Sequence, residues 1–125
     1  IRLSNRTRVR AEKLRSDFGS RVRIYDWVQA GNMIDDAALL VNTTSLGMMG
    51  KGELRVPLDG LGPQTIVTDL VYAPLKTRLL ETAEQIGCVT VDGLGMLLHQ
   101  AVPGFERWFG QRPVVDRATR AAALR

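Results

Sequence analysis

Apolar positions along the chain fall into two patterns, short apolar runs and longer stretches with helical spacing. The short runs are typical of strands buried in a parallel sheet. They lie at Ile1–Ser4, Val22–Trp27, Ala38–Asn42, Thr65–Val71 and Cys88–Val91. Because the two patterns alternate, we predict an α/β fold with a doubly wound parallel sheet and flanking helices.

The longer stretches predict four helices. The first is Thr7–Phe18, where Thr7, Ala11, Leu14 and Phe18 form one stripe before Gly19. The second is Lys76–Ile86, which Gly87 ends. The third is Leu94–Trp108, with a kink at Pro103 and an apolar stripe of Leu94, Leu97, Leu98, Ala101, Phe105 and Trp108. A last helix follows Pro113 and is capped by Asp116. Leu46–Pro63, rich in Gly and Pro, is predicted to be irregular.

Composition narrows the class of protein. A chain of 125 residues with a net charge of +4 is sized for one domain. Its basic residues are dispersed and its aromatics few, so we expect no nucleic-acid partner. The single cysteine, Cys88, excludes a disulfide framework and a metal site; we expect it to pack as a small hydrophobe, with a reactive thiol as the alternative.

Targeting signals are also lacking. No apolar run approaches the roughly 20 residues of a membrane span, and no signal peptide is recognised, so we predict a cytoplasmic chain without a membrane partner. The chain begins with Ile1 inside a predicted strand. We therefore expect a fragment of a longer protein.

The first candidate site is the start of the first predicted helix. Arg6, Arg8, Arg10 and Lys13 crowd a helix N-terminus, where cations are unfavourable and an anion would relieve the repulsion. In dinucleotide-binding folds an acid after the second strand reads the ribose 2′-hydroxyl, whereas an arginine accommodates a 2′-phosphate. This position has no acid, which favours NADP over NAD. The alternative is a solvated basic helix start.

Three further strand ends carry polar or glycine-rich sequences, at Asn42–Met48, Asp69–Pro74 and Asp92–Met96. Ligands bind beyond the carboxyl ends of parallel strands, so all three are candidates. Asp69 is positioned to anchor its turn, and Gln100 shares a helix face with Met96. Each has a plainer interpretation: a capped turn, a packing tyrosine, a core methionine or a solvated glutamine. His99 points away from Gln100, and we expect it at the surface.

Four motifs in register resemble one known family. They are Asn5-Arg6-Thr7-x-x-Arg10-Ala11-x-x-Leu14, Asn42-x-Thr44-Ser45-x-Gly47-Met48, Asp69-x-x-Tyr72-x-Pro74-x-x-Thr77-x-Leu79-Leu80 and Gly93-x-x-Met96-Leu97-x-x-Gln100. Together they resemble the C-terminal, NADP-binding half of the shikimate dehydrogenase family. The resemblance implies a Rossmann-like fold that is incomplete at its N-terminal side. Residues 1–113 would form a partial NADP-binding domain, and 114–125 a C-terminal helix and tail.

The resemblance also implies functional residues. Asn5, Arg6, Thr7 and Arg10 would hold the 2′-phosphate of NADP, and Thr44 and Ser45 would lie along the cofactor. Leu70, the Gly93 backbone and Met96 would contact the nicotinamide end. Tyr72 and Gln100 would touch the substrate, shikimate or 3-dehydroshikimate. The implied reaction is the NADPH-dependent reduction of 3-dehydroshikimate in aromatic amino acid (chorismate) biosynthesis.

The chain also departs from the family pattern. The family's catalytic Lys and Asp belong to an N-terminal substrate domain that this sequence does not contain, so we predict no catalytic residue here. The first strand, the glycine-rich turn and the first helix are also absent. We therefore expect an unpaired strand edge, exposed apolar surface and the N-terminal domain as a partner. Two alternatives stay open: a quinate/shikimate dehydrogenase, and a non-catalytic nucleotide-binding or regulatory module.

Overall fold

The computed structural model describes residues 1–124, which form an α/β fold. The strands are β1 (Arg2–Ser4), β2 (Arg23–Tyr25), β3 (Leu39–Asn42), β4 (Ile66–Asp69) and β5 (Val89–Val91). The helices are α1 (Arg8–Phe18), α2 (Ala30–Ile34), α3 (Arg78–Ile86), α4 (Leu94–Phe109) and α5 (Arg117–Ala123), and short 3-10 turns cover Gly19–Arg21 and Trp27–Gln29. All five predicted strands and all four predicted helices are confirmed. The sequence analysis did not predict α2, and it extended β2 into the Trp27–Gln29 turn.

Every strand pair is parallel. β1 pairs with β2, with Leu3 opposite Ile24, and β4 lies between β3 and β5. The two groups do not hydrogen-bond to each other within the described residues, so the predicted sheet is split in two. The facing edges of β1 and β3 line one cleft, whose floor includes Ile34 from α2. The parallel α/β class is confirmed, and the break between β1 and β3 is where the sheet is incomplete.

The hydrophobic core lies on one side of the β3–β4–β5 sheet. Val67 on β4 is fully buried against α3, which contributes Leu79, Leu80 and Ala83. Cys88 joins this cluster, as expected of a small hydrophobe, and its Sγ donates to the Gly62 carbonyl at 3.2 Å. Burial raises the pKa of the Cys88 thiol, which keeps it protonated and unreactive at neutral pH.

The opposite face of that sheet is uncovered in the described part of the chain. Leu39 is paired with Ile66, and Ile66 with Val89, so the three form one apolar row across the sheet. All three are exposed, Val89 at 63%. Val41 and Val91 lie on the same face and are exposed as well. Exposed apolar surface of this kind usually marks an interaction surface.

Local signals for helix ends are confirmed. Gly87 ends α3 in the left-handed conformation at φ 97°, and its N–H donates back to the last turn. Asp116 caps α5 by accepting the Thr119 N–H at 2.8 Å. Residues 46–63 contain no helix or strand, as predicted.

The predicted burial of two helices is only partly correct. On α1, Ala11 is buried, but Leu14 and Phe18 are exposed, because α1 packs mainly against the two-stranded β1–β2 sheet and the 3-10 turn that follows the helix. On α4, Leu94 and Val102 are buried, whereas Ala101 and Phe105 are exposed and Trp108 is 80% exposed. The spacing was correct, but nothing in residues 1–124 covers the C-terminal half of that stripe. Within the same residues, none of the helices has the length and apolarity needed to cross a membrane.

Candidate functional site

The residues predicted to bind ligands follow the carboxyl ends of four strands. Asn5, Arg6 and Thr7 follow β1, and Thr44 and Ser45 follow β3. Leu70 and Tyr72 follow β4, and Gly93 precedes α4 after β5. Since β3, β4 and β5 are parallel neighbours, their carboxyl ends share one edge of the sheet. The cleft between β1 and β3 is lined by Ser4 and Thr44, so these strand ends lie on its two sides.

The N-terminus of α1 has no internal anion. Thr7 occupies the N-cap position without a side-chain hydrogen bond, and the first turn carries no acid. The helix dipole and its unpaired N–H groups therefore favour a negative charge from elsewhere. The predicted phosphate site lies at this helix start and stays a prediction.

The arginines around this helix start differ in their partners. Arg8 Nε donates to Glu12 at 2.8 Å, and its guanidinium also pairs with Asp26. The hydrogen bond to Glu12, followed by that to Asp26, raises the pKa of Arg8. Within residues 1–124, Arg6 and Arg10 make no ion pair, and both are exposed. The sequence showed one cluster of cations, and the structure separates Arg8 from the two that are available to a ligand.

A buried carboxylate connects the loops after β3 and β4. Asp69 is fully buried, and its Oδ1 accepts hydrogen bonds from Asn42 Nδ2 at 2.9 Å and from the Val71 N–H at 3.0 Å. Its Oδ2 accepts from Thr77 Oγ1 at 2.7 Å. Thr77 is also the N-cap of α3. The prediction that Asp69 anchors its turn is confirmed, and its reach to two other segments is new.

The loop that carries Thr44 and Ser45 is held by the same network. Asn42 Oδ1 accepts the Thr44 N–H at 3.0 Å and the Thr44 hydroxyl at 2.8 Å. Thr44 Oγ1 in turn accepts the Leu46 N–H at 3.1 Å. The capped-turn interpretation is therefore correct for Thr44, whose hydroxyl proton is used inside the turn. The exposed Ser45 hydroxyl makes no hydrogen bond within residues 1–124.

Gly93 lies directly against the backbone after β4. A Cβ at this position would lie 2.5 Å from the Leu70 carbonyl oxygen and 2.7 Å from that of Val71. Only glycine fits this approach, which brings two predicted nicotinamide contacts, Gly93 and Leu70, together. Met96, Tyr72 and Gln100 are exposed on the surface near these turns, so their predicted roles stay predictions. His99 is exposed at the surface, as expected.

The turn before α4 has a clamp that sequence reasoning missed. Asp92 Oδ1 accepts the Leu94 N–H at 3.1 Å. Both carboxylate oxygens of Asp92 also accept hydrogen bonds from the guanidinium of Arg120 on α5, which raises the pKa of Arg120. Such bidentate ion pairs fix the relative orientation of the two side chains in addition to pairing their charges. No motif or spacing linked Asp92 to an arginine so far along the chain.

Comparisons with known proteins show which proteins this chain is similar to. The model of the shikimate 5′-dehydrogenase C-terminal domain matches residues 93–123. A curated relative from Cereibacter sphaeroides strain KD131, shikimate dehydrogenase (NADP(+)), is 71% identical over 124 residues, which are 99% of this chain and 44% of the relative.

Two solved structures share the fold. Quinate dehydrogenase from Corynebacterium glutamicum in complex with NAD has a TM-score of 0.84 at 31% identity, covering 98% of this chain and 45% of its own. Shikimate 5-dehydrogenase from Thermus thermophilus, in complex with NADP(H) and shikimate, has a TM-score of 0.76 at 33% identity, covering 98% and 44%.

Proposed function

Since the chain belongs to the shikimate dehydrogenase family, we propose that it is the cofactor-binding part of an NADP-dependent shikimate dehydrogenase. The complete enzyme reduces 3-dehydroshikimate to shikimate with NADPH and works in the cytoplasm. In this proposal, residues 1–113 form the cofactor-binding unit and 114–125 its C-terminal helix. The chain spans less than half the length of the curated relative it matches, so the activity of the whole protein is part of the proposal.

The observation that supports NADP most strongly is the charge at the α1 N-terminus. Two exposed arginines, Arg6 and Arg10, stand beside an uncapped helix start that has no acid in its first turn. An acid there would repel a 2′-phosphate and favour the ribose hydroxyl of NAD. One solved relative is in complex with NAD and another with NADP(H), so the fold alone does not select the cofactor. The charge at the α1 N-terminus is therefore what favours NADP over NAD in this proposal.

The residues of this chain fit the two ends of the dinucleotide. Arg6, Arg10 and the Asn5–Thr7 turn would hold the adenosine 2′-phosphate. At Gly93 the backbone packs directly against the carbonyls of Leu70 and Val71, which fixes the turn that would contact the nicotinamide. NADPH supplies the hydride when bound. The chain's part is to orient the ring, with Met96 beside it and Thr44 and Ser45 along its length.

We assign the substrate contacts to Tyr72 and Gln100. The phenol follows β4, and the amide lies on α4, so both can reach a ligand placed beyond the nicotinamide end. A phenol and an amide each donate and accept hydrogen bonds, which suits a molecule bearing several hydroxyls. The proton donor and acceptor of the reaction belong to residues outside this chain in this proposal.

The surface of the chain supports a partner domain within the same gene product. The edges of β1 and β3 that line the cleft are unpaired within residues 1–124, and unpaired parallel edges invite another strand. Ser4 Oγ is buried there without a hydrogen-bond partner among the same residues. The apolar row of Leu39, Ile66 and Val89 is exposed. We propose that a further strand and helix of the full-length gene product cover both.

A second candidate function is quinate oxidation. It is favoured by the similarity to the Corynebacterium quinate dehydrogenase, whose TM-score is 0.84. Quinate and shikimate are alternative substrates that differ in their ring. The same cofactor site would therefore serve an enzyme that acts on either.

Steady-state assays of the full-length gene product test the proposal. We expect turnover of shikimate with NADP⁺, with much weaker use of NAD⁺ and of quinate. Faster turnover of quinate would replace the substrate assignment with the second candidate. A preference for NAD⁺ would contradict the phosphate assignment, and no turnover of either substrate would contradict the enzyme itself.

An arginine pair supplies a matched control for the cofactor assignment. Arg6→Ala should raise the KM for NADPH by one to two orders of magnitude, because a hydrogen bond to a charged group contributes about 1.5–3 kcal/mol. The KM for NADH should hardly change. Arg8→Ala removes the same charge two residues away, but from a side chain already paired with Glu12 and Asp26, so its effect on KM should be smaller and equal for NADPH and NADH. Equal losses for both cofactors in Arg6→Ala would contradict the assignment.

A further inference from the structure

A half-buried tryptophan lies next to the proposed phosphate site. Trp27 comes two residues after β2, and Arg6 comes two residues after β1. Because β1 and β2 are parallel neighbours, these two residues leave the sheet at the same edge. Both line one open cavity of about 280 Å³, whose other walls are Leu46, Gly52, Glu53 and Arg55.

The backbone before Trp27 is fixed by contacts of Asp26. The Asp26 side chain pairs with Arg8 of α1, and its carbonyl accepts the Gln29 N–H at 2.8 Å to close the 3-10 turn. The turn therefore holds Trp27 in a defined, half-buried place, where it lines both this cavity and the cleft between β1 and β3. The ion pair that neutralises Arg8 thus also positions the aromatic wall of the cavity.

The cavity combines two kinds of contact. The indole offers a flat, polarisable face, and Arg6, which makes no ion pair within residues 1–124, offers positive charge, whereas Arg55 is paired with Glu53 at 3.6 Å. Leu46 adds a further apolar surface. A purine ring joined to a phosphorylated ribose would match this combination, because aromatic side chains stack on bases while arginines bind phosphate.

We propose that Trp27 forms one wall of the adenine subsite and stacks on the adenine ring of the cofactor. This inference rests on the proposed function and extends it from the phosphate to the base. Trp27 acts on a group common to NADPH and NADH, whereas Arg6 acts on the 2′-phosphate alone. The two residues therefore differ in how they affect the two cofactors.

Calorimetric titration of the full-length gene product with NADPH and with NADH tests the proposal. Trp27→Leu should weaken both cofactors by a similar factor, about tenfold, as expected for loss of one base stack. Trp27→Phe keeps an aromatic face and should bind both within about threefold of the parent. Trp108→Leu is the matched control, since Trp108 is 80% exposed on α4, and it should leave both affinities unchanged.

The outcomes separate this inference from the proposed function. Unchanged affinity in Trp27→Leu, or a loss confined to NADPH, would overturn the adenine assignment while the parent still bound NADPH. A parent that bound neither cofactor would overturn both. If Trp27→Leu does not fold, Trp27→Phe decides: binding of both cofactors within about threefold of the parent supports the stack, and a loss of about tenfold or more overturns it.

Discussion

Gly93→Ala is the sharpest perturbation that the structure offers at the nicotinamide end. The backbone of Gly93 has φ −76° and ψ −10°, a conformation open to any residue, so alanine adds no dihedral strain. Any effect of the substitution therefore comes from the contacts of the added methyl group. It would lie 2.5 Å from the Leu70 carbonyl oxygen, 2.6 Å from the Leu70 carbonyl carbon and 2.7 Å from the Val71 carbonyl oxygen.

These contacts set the size of the effect. All three atoms belong to the backbone after β4, which the Asp69 network holds in place, so no side chain can rotate away. The turn before α4 must move by roughly 1 Å instead. Overpacking of this kind costs about 1–3 kcal/mol of unfolding free energy. A shift of about 1 Å in a group that orients a reacting ring can also lower kcat by up to about 100-fold.

The assay compares two glycines that are two residues apart. Gly95 has nothing within 4 Å of a Cβ and lies in the first turn of α4. Gly95→Ala should therefore keep or raise stability by up to about 1 kcal/mol, through helix propensity. Denaturant unfolding and steady-state kinetics are measured on both variants of the full-length gene product. Gly93→Ala that is as stable and as active as Gly95→Ala would refute the close-approach argument.

Three further predictions follow from contacts around the site. Thr77→Val leaves one buried oxygen of Asp69 without its donor and should cost about 1.5–3 kcal/mol in denaturant unfolding, whereas Thr77→Ser should restore most of it. Arg120→Met should raise the KM for NADPH by loosening the turn at Gly93, while Arg117→Met, with no ion pair within residues 1–124, should not. The hydrogen bond from the Thr119 N–H holds the pKa of Asp116 below its ordinary value, so the α5 cap is complete above about pH 4 and is lost as pH falls through that lowered value. Amide protection in α5, taken relative to the intrinsic exchange rate at each pH, should fall there in the parent and stay constant in Asp116→Asn.

The fold was predictable wherever the signal is local. Gly87 ends α3 and Asp116 begins α5 because a left-handed glycine and a capping carboxylate act on their own neighbours in sequence. Short apolar runs gave the strands for a similar reason. Burial was less predictable, since the exposure of Phe18 and Trp108 depends on what packs against α1 and α4, and the spacing of apolar residues does not carry that information.

The candidate site shows the same difference between features set by local sequence and features set by tertiary contacts. The strand-end motifs identified the segments after β1, β3, β4 and β5, and the turn at Asp69 was expected. The pairing of Arg8 with Asp26 was not, because it depends on two strands lying side by side. The clamp of Arg120 on Asp92 joins residues that are far apart in sequence and carry no motif. Trp27 was counted as the end of a strand, so its place beside Arg6 appeared only in three dimensions.

In the proposed function, the arginines beside α1 select a phosphate on the adenosine ribose. Calorimetric titration of the full-length gene product with adenosine 2′,5′-bisphosphate and with adenosine 5′-monophosphate measures that selection without any contribution from nicotinamide or substrate. We expect the bisphosphate to bind at least about tenfold more tightly than the monophosphate, and Arg6→Ala to remove most of the difference. Equal affinities for the two nucleotides in the parent protein would contradict it.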